Sequence, residues 1–159
     1  GIANIETRCG EIEQLAPETP YDAMVFCFFG TGNEALRVAK EQCRGPVIII
    51  KKAWSEHRFS IGKQKMNHES YADTLALLKG YGIPHQGETL ALEMGQPFRS
   101  IADACRFFEI YNKSGEAVTE EAVRARLEAT GDAQFPWYLP QPKEMGIIHL
   151  DSRNIPDLK

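Results

Sequence analysis

The chain has 159 residues, of which 43% are apolar and 25% charged, and its formal net charge is −4. This is the composition of an ordinary globular domain, and the negative charge argues against a general nucleic-acid binder, which usually has a basic excess. The longest apolar run is cut at Gly30 and is shorter than the ~20 residues of a membrane span. We therefore expect a single cytoplasmic domain over residues 1–159, without a membrane segment or a secretory signal.

The first predicted elements are short. Residues 5–10 predict a strand, and Glu11–Leu15 predicts a single helical turn. Met24–Phe29 is an apolar run without polar alternation. Such a run is typical of a central parallel strand that is buried on both faces.

A helix and a second buried strand follow this run. Thr31 or Asn33 can cap a helix that extends to about Cys43, where Gly45 and Pro46 end it. The next apolar run predicts a strand over residues 47–52. Strand, helix and strand within ~30 residues make one right-handed parallel unit.

The second half contains alternating helical and strand patterns, separated from the first by a long polar stretch. The predicted elements are a helix over 70–79, a strand over 89–94, helices over 101–111 and 119–129, and a strand over 145–150. The proline-rich segment 134–142 predicts a loop, and residues 151–159 are expected to fray.

In this order the N-terminal pieces resemble the third, fourth and fifth strands of a class I S-adenosylmethionine-dependent methyltransferase. Gly87–Tyr111 is similar to that family's sixth strand with an inserted helix, and Met145–Leu150 to its seventh strand. The resemblance implies a three-layer, Rossmann-like α/β fold with a mixed sheet. Its last strand would lie antiparallel between the strands near 47–52 and 88–94. The family's first two strands and glycine-rich cofactor loop would precede Gly1, so a C-terminal portion is expected.

The resemblance carries functional roles to a few positions. The acidic residue after the family's third strand binds the cofactor adenine, and here it is Glu11, with Ile12 against the ring. The tip of the fourth strand, Phe28, Phe29 and Gly30, would face the methionine end of the cofactor and the substrate. The alternatives are that Phe28 and Phe29 are ordinary core residues and that Glu11 is a solvated carboxylate. Without the glycine-rich loop, S-adenosylmethionine is expected to bind the intact parent fold and no cofactor to bind this chain alone.

Residues 51–68 form a basic stretch on the side where open α/β sheets bind ligands. Its charges are Lys51, Lys52, Arg58, Lys63 and Lys65 against Glu56. Trp54, His57 and Arg58 are therefore candidates for binding an anionic small-molecule substrate. The alternative is a solvated flexible loop. No nucleophile or carboxylate is fixed beside His57 by spacing, so catalytic residues are not assigned.

Gly30–Ala35, with the sequence GTGNEA, is a competing pattern because it matches the dinucleotide fingerprint G-x-G-x-x-G/A. Lys51 and Lys52 stand where that fingerprint expects an acid, which would favour the 2′-phosphate of NADP. An NADP-binding oxidoreductase domain is thus the alternative enzyme, and a non-catalytic interaction module is the alternative outside enzymes. The histidines and the four scattered cysteines have no metal-ligand spacing, so no metal site is expected.

The strand over 24–29 is also the basis for a prediction about assembly. In the parent fold it pairs with the family's first strand, which lies outside this chain. An apolar strand with a free edge invites pairing with another strand. We expect a homodimer through this edge, with a local replacement by Asn4–Gly10 as the alternative.

Overall fold

The computed structural model describes residues 4–15 and 17–158, which form two compact units. The first unit takes the described residues of 1–51, 71–88 and 147–159, and the second takes residues 52–70 and 89–146. Compactness does not test whether the chain folds as one domain, so the single-domain expectation stays a prediction.

The described elements alternate between strands and helices. In chain order they are β1 (Met24–Cys27), α1 (Gly32–Gln42), β2 (Pro46–Lys52), α2 (Tyr71–Gly80), β3 (His85–Glu93), β4 (Gln96–Phe98), α3 (Ile101–Tyr111), α4 (Glu120–Arg124), β5 (Glu128–Ala129), β6 (Trp137–Leu139) and β7 (Pro142–Asp151). Within the described ranges, none of the helices has the length and apolar character that a bilayer crossing requires.

The larger sheet is mixed and has the strand order β1, β2, β7, β3. β1 and β2 are parallel, with Phe26 opposite Ile49. At one end of β2 the Ser152 N–H donates to the Gly45 carbonyl over 3.0 Å, and at the other end the Ala53 N–H donates to the Glu144 carbonyl over 3.1 Å. The residue numbers run in opposite directions, so β7 is antiparallel to β2. An α/β fold whose last strand lies between the second and third is what the sequence predicted.

One face of this sheet carries the core of the first unit. Phe26, Val47, Ile49, Ile148 and Leu150 are buried together with apolar residues of α1 and α2. The buried positions of α1 are Gly32, Ala35, Leu36, Val38, Ala39 and Gln42. Each large side chain that is buried in this way stabilises the fold by roughly 1.5–3 kcal/mol.

The opposite face differs from the prediction that the first strand is buried on both sides. Val25 is 62% exposed and Cys27 is also exposed. Their cross-strand partners Ile48 and Ile50 are half-buried. The prediction of double burial was wrong because, within the first unit, α1 and α2 pack on the Phe26 face. The apolar run alone does not reveal which faces are covered.

The second unit has its own core and its own small sheet. Phe98, Ala104, Phe108, Val123 and Leu139 are buried together. The antiparallel sheet has the order β4, β6, β5. Two predictions need correction here. The helix expected over 119–129 ends at Arg124, because Glu128 and Ala129 pair with β6, and the expected loop over 134–142 contains β6.

The chain ends also differ from expectation. Residues 5–10 form no strand and are exposed, so the described structure contradicts the substitution of β1's neighbour by Asn4–Gly10. The C-terminal segment does not fray through Ile155, which is 2% exposed and whose carbonyl accepts a 2.7 Å hydrogen bond from Lys40 Nζ. The four cysteines are unpaired, and Cys9 and Cys27 are exposed.

Candidate functional site

The turn after β1 has the least ordinary backbone among the described residues. Phe28 has a φ of 52°, in the left-handed region that residues other than glycine seldom adopt, and Gly30 has a φ of 26°. A non-glycine residue in this region costs about 1–3 kcal/mol and persists where the surroundings hold it. The Phe28 side chain is 43% exposed. Phe29 packs beside Phe26, with ring centroids 5.3 Å apart.

The Lys51 side chain is hydrogen-bonded to the backbone of this turn. Its side chain is on the buried face of β2, and the residue is 3% exposed. Lys51 Nζ donates to the carbonyl oxygens of Phe29 at 3.0 Å and Gly30 at 2.6 Å. The sequence placed Lys51 among the charges of a basic loop, whereas the structure makes it part of the turn.

The N-terminus of α1 follows the turn and is capped by the side chains of Thr31 and Glu34. Glu34 Oε2 accepts hydrogen bonds from the Thr31 N–H at 2.6 Å and from the Thr31 hydroxyl at 2.9 Å. The Thr31 N–H, and then its hydroxyl, lower the pKa of Glu34 below its ordinary value. A Cβ on Gly30 would lie 2.4 Å from Glu34 Oε2. A pyrophosphate placed as the dinucleotide fingerprint requires would therefore meet a carboxylate.

Glu11 and Ile12 lie at the other end of α1. Glu11 is exposed, and Ile12 begins a short 3₁₀ helix, Ile12–Leu15, beside a groove of about 710 Å³. The Ile12 carbonyl accepts a 3.0 Å hydrogen bond from Gln42 Nε2 at the last residue of α1. A helix of this length spans about 16 Å. The structure thus separates Glu11 and Ile12 from Phe29 and Gly30, which precede the helix, and does not bring the four predicted cofactor-binding residues together.

Trp54, His57 and Arg58 belong to the second unit. Arg58 Nη2 donates to the Met94 carbonyl at 2.5 Å, and its guanidinium stacks 4.5 Å from the centre of the Phe59 ring. Burial lowers the pKa of Arg58 below its ordinary value. These contacts give Arg58 a structural role in this unit rather than a position open to a ligand.

His57 is half-buried and held by a neighbouring hydroxyl. Its Nδ1 lies 3.0 Å from Ser60 Oγ, which also accepts a 2.9 Å hydrogen bond from the Lys113 N–H. Burial lowers the pKa of His57 below its ordinary value, and the positive charges of Lys113, Lys52 and Arg58 lower it further. Trp54 lies beneath Lys52, whose Nζ is 6.0 Å from the centre of the indole ring.

Sequence reasoning missed two residues of this arrangement. Ser60 is 2% exposed and bridges His57 to Lys113, which is 53 positions further along the chain. Ser60 sits in a polar stretch, and Lys113 follows a predicted helix. No local pattern in the sequence links them.

Comparison with protein-family models, curated proteins and solved structures finds no match for this chain. Over residues 4–15 and 17–158, no three His, Cys, Asp or Glu side chains are grouped so that they could hold a metal ion.

Proposed function

We propose that this chain is the C-terminal portion of a class I S-adenosylmethionine-dependent methyltransferase fold. The observation that carries the proposal is the place of β7, antiparallel to β2 and between β2 and β3. With β1 and β2 parallel, the order β1, β2, β7, β3 corresponds to the order of the family's fourth, fifth, seventh and sixth strands. Inserting the last strand of a chain between two earlier ones is a specific arrangement, unlike the α/β class itself.

The uncovered face of the sheet supports the same proposal. The exposed side chains of Val25 and Cys27 lie where a third layer would pack in the intact fold. In the family that layer and the first strand come from the part that precedes the third strand. A Rossmann-like fold of three layers is therefore proposed for the intact protein.

The strained turn at Phe28–Gly30 is the proposed position of the methyl acceptor. S-adenosylmethionine, when bound, supplies an electrophilic methyl group, and the protein's contribution is mainly to hold the acceptor close and in line. An exposed Phe28, held in a left-handed conformation beside Phe29, gives an apolar wall for this purpose. Glu11 and Ile12 lie away from the turn, so the described residues do not form a complete cofactor site. We expect weak binding of cofactor by this chain.

The alternative dinucleotide function is less well supported. Its pyrophosphate would have to lie at the N-terminus of α1, where the Glu34 carboxylate already accepts two hydrogen bonds from Thr31. The third possibility, a non-catalytic interaction module, is favoured by the exposure of Val25. The same exposure is also expected of a methyltransferase portion whose sheet lacks its third layer, so it does not favour the interaction module over the main proposal.

Amide chemical shifts of the ¹⁵N-labelled chain, titrated separately with S-adenosylmethionine and NADPH, test the proposal. We expect millimolar S-adenosylmethionine to shift the amides of Phe28–Thr31 and NADPH to leave them unchanged. Shifts caused by NADPH alone would support the dinucleotide function. An unchanged turn with both ligands would contradict its assignment to the acceptor site. Micromolar affinity for S-adenosylmethionine would show that the chain holds a complete cofactor site, contrary to the proposal.

A further inference from the structure

The turn after β1 presents the aromatic side chain of Phe28 to solvent. Phe28 is exposed, whereas the neighbouring Phe29 packs beside Phe26 and against the core of the first unit. The φ of Phe28, 52°, is one that glycine adopts at no steric cost. Phenylalanine at this position therefore has two costs, backbone strain and exposed apolar surface. A glycine would avoid both, which favours a role for the exposed ring in binding.

Strand β2 holds the backbone of this turn at three successive residues. The Phe28 N–H donates to the Ile50 carbonyl at 3.0 Å. Lys51, the next residue of β2, donates through Nζ to the carbonyl oxygens of Phe29 at 3.0 Å and Gly30 at 2.6 Å. A backbone that is already ordered presents its side chain to a ligand at a smaller cost in conformational entropy. The turn is therefore preorganised for contact through Phe28.

The same hydrogen bonds engage the polar groups of the turn. Because Lys51 is buried, the carbonyl oxygens of Phe29 and Gly30 that it bonds are directed into the protein rather than towards a ligand. The Thr31 N–H donates to Glu34 Oε2 at 2.6 Å. A ligand amine that left water for this turn would need hydrogen-bond acceptors, which these inward carbonyls do not supply. Recognition at the turn therefore depends on contact with the Phe28 ring.

The charges that contact the turn are of opposite sign. Lys51 is bonded to its carbonyl oxygens, and the Glu34 carboxylate is bonded to the N–H and the hydroxyl of Thr31. One positive and one negative group, both engaged by the turn itself, favour neither a cationic nor an anionic ligand. A neutral ligand is the kind that this arrangement suits best.

We propose that the methyl acceptor is a neutral aromatic molecule whose ring stacks on Phe28. Paired aromatic rings attract each other by more than their buried area accounts for, so an aromatic ring gains more from Phe28 than a saturated ring of the same size. The inference rests on the proposed acceptor role of the turn and names the substrate class. Its test contains no methyl donor. A turn that binds aromatic rings but does not respond to S-adenosylmethionine would contradict the methyltransferase proposal alone, and the reverse result would contradict the aromatic site alone.

The test is a titration of the whole ¹⁵N-labelled chain with three small probes. Benzyl alcohol and cyclohexylmethanol have the same shape in outline and differ in aromaticity. We expect benzyl alcohol to shift the amides of Phe28–Thr31 with a dissociation constant about fivefold lower than that of cyclohexylmethanol. Equal constants would overturn the aromatic preference. Butylamine, an ammonium ion at neutral pH, is expected to leave these amides unchanged, and shifts as large as those with benzyl alcohol would overturn the preference for a neutral ligand.

Three variants then test the assigned residue. Phe28→Leu keeps an apolar side chain without the ring, and we expect benzyl alcohol to bind about fivefold more weakly. Phe28→Tyr keeps the ring and should stay within about twofold of the original chain. Tyr111→Leu is the matched control, since Tyr111 is an aromatic residue of the second unit that is 45% exposed, against 43% for Phe28. An unchanged affinity in Phe28→Leu, or the same loss in all three variants, would contradict the site.

Discussion

Lys51 Nζ donates a 2.6 Å hydrogen bond to the carbonyl oxygen of Gly30, which lies 21 positions earlier in the chain. The ammonium reaches the turn because Lys51 follows Val47 and Ile49 on the buried face of β2. A charged group in this position is stabilised by the carbonyl oxygens that it bonds. The turn and the end of β2 should therefore lose stability together when this side chain is shortened or neutralised.

Lys51→Met keeps an unbranched side chain of similar length and removes both hydrogen bonds. We expect the free energy of unfolding to fall by about 1.5–3 kcal/mol, the range for hydrogen bonds to charged groups. Urea denaturation followed by circular dichroism measures it. Lys52→Met is the control, since Lys52 is on the opposite face of the same strand, and its change should stay near 0.5 kcal/mol. Equal losses would mean that the turn does not depend on Lys51.

Gly30→Ala tests the contact between the turn and the Thr31–Glu34 cap of α1. A Cβ at Gly30 has to displace Glu34 Oε2, so the variant combines left-handed strain with loss of the Thr31–Glu34 cap. Gly82→Ala is matched, because Gly82 has a φ of 66° and open space around it. We expect each variant to lose about 1 kcal/mol from strain, and Gly30→Ala to lose about 1 kcal/mol more from the cap. Melting temperatures of the two variants would then differ, and coincident values would contradict the role of the cap.

The interaction of Asp151 with Arg153 predicts how the stability of the fold changes at low pH. Asp151 Oδ1 accepts 2.9 Å and 2.8 Å hydrogen bonds from the Arg153 N–H and Nε. The hydrogen bonds from the Arg153 side chain, and then the one from its backbone N–H, lower the pKa of Asp151 to about 2. The folded pKa lies below the ordinary 3.8. The stabilisation is therefore present above pH 3.8 and lost as the pH falls through about 2. Carbon-detected NMR should show an Asp151 midpoint near 2, which Arg153→Gln moves up towards the ordinary value.

Self-association through β1 is the prediction about assembly. β1 ends the larger sheet among the described strands, and Val25 on it is 62% exposed. We expect sedimentation velocity at high micromolar concentration to show a dimer that Val25→Lys dissociates, since a charged edge resists pairing. Leu90→Lys places the same charge on β3 at the other end of the sheet and should leave the dimer intact. A strictly monomeric mass for the unmodified chain would show that this edge does not pair.

Much of the first unit could be predicted from local pattern. The cap at Thr31 and the apolar stripe of α1 determined that helix to within a residue, and the family resemblance placed β7 beside β2. The exposure of Val25 could not be predicted, because the layer that covers a strand comes from residues distant in sequence. Lys51 was counted among the charges of the basic stretch over residues 51–68. Its alternation with Val47 and Ile49 was the available signal for a buried position.

Less of the second unit could be predicted from local sequence patterns. Pro136 and Pro140 flank β6. Because of these prolines the segment was predicted to be a loop, although proline is compatible with the ends of a short strand. The pairing of β6 with Glu128 and Ala129 ended α4 early. The cluster at His57 depends on Ser60 and Lys113, which tertiary structure brings together. The sequence indicated His57 as a candidate but not the Ser60 hydroxyl that contacts its ring.

The insertion of β7 has a consequence for how the protein is made. A ribosome delivers β1, β2 and β3 well before residues 142–151 emerge, yet the finished sheet needs β7 between β2 and β3. The Ser152 hydroxyl bonds the Cys43 carbonyl 109 positions away, which illustrates the span that must close. Contacts of such long range form slowly. Each nascent chain therefore carries an unfinished sheet until β7 has emerged from the ribosome, and during that interval chaperones and proteases have their best access to it.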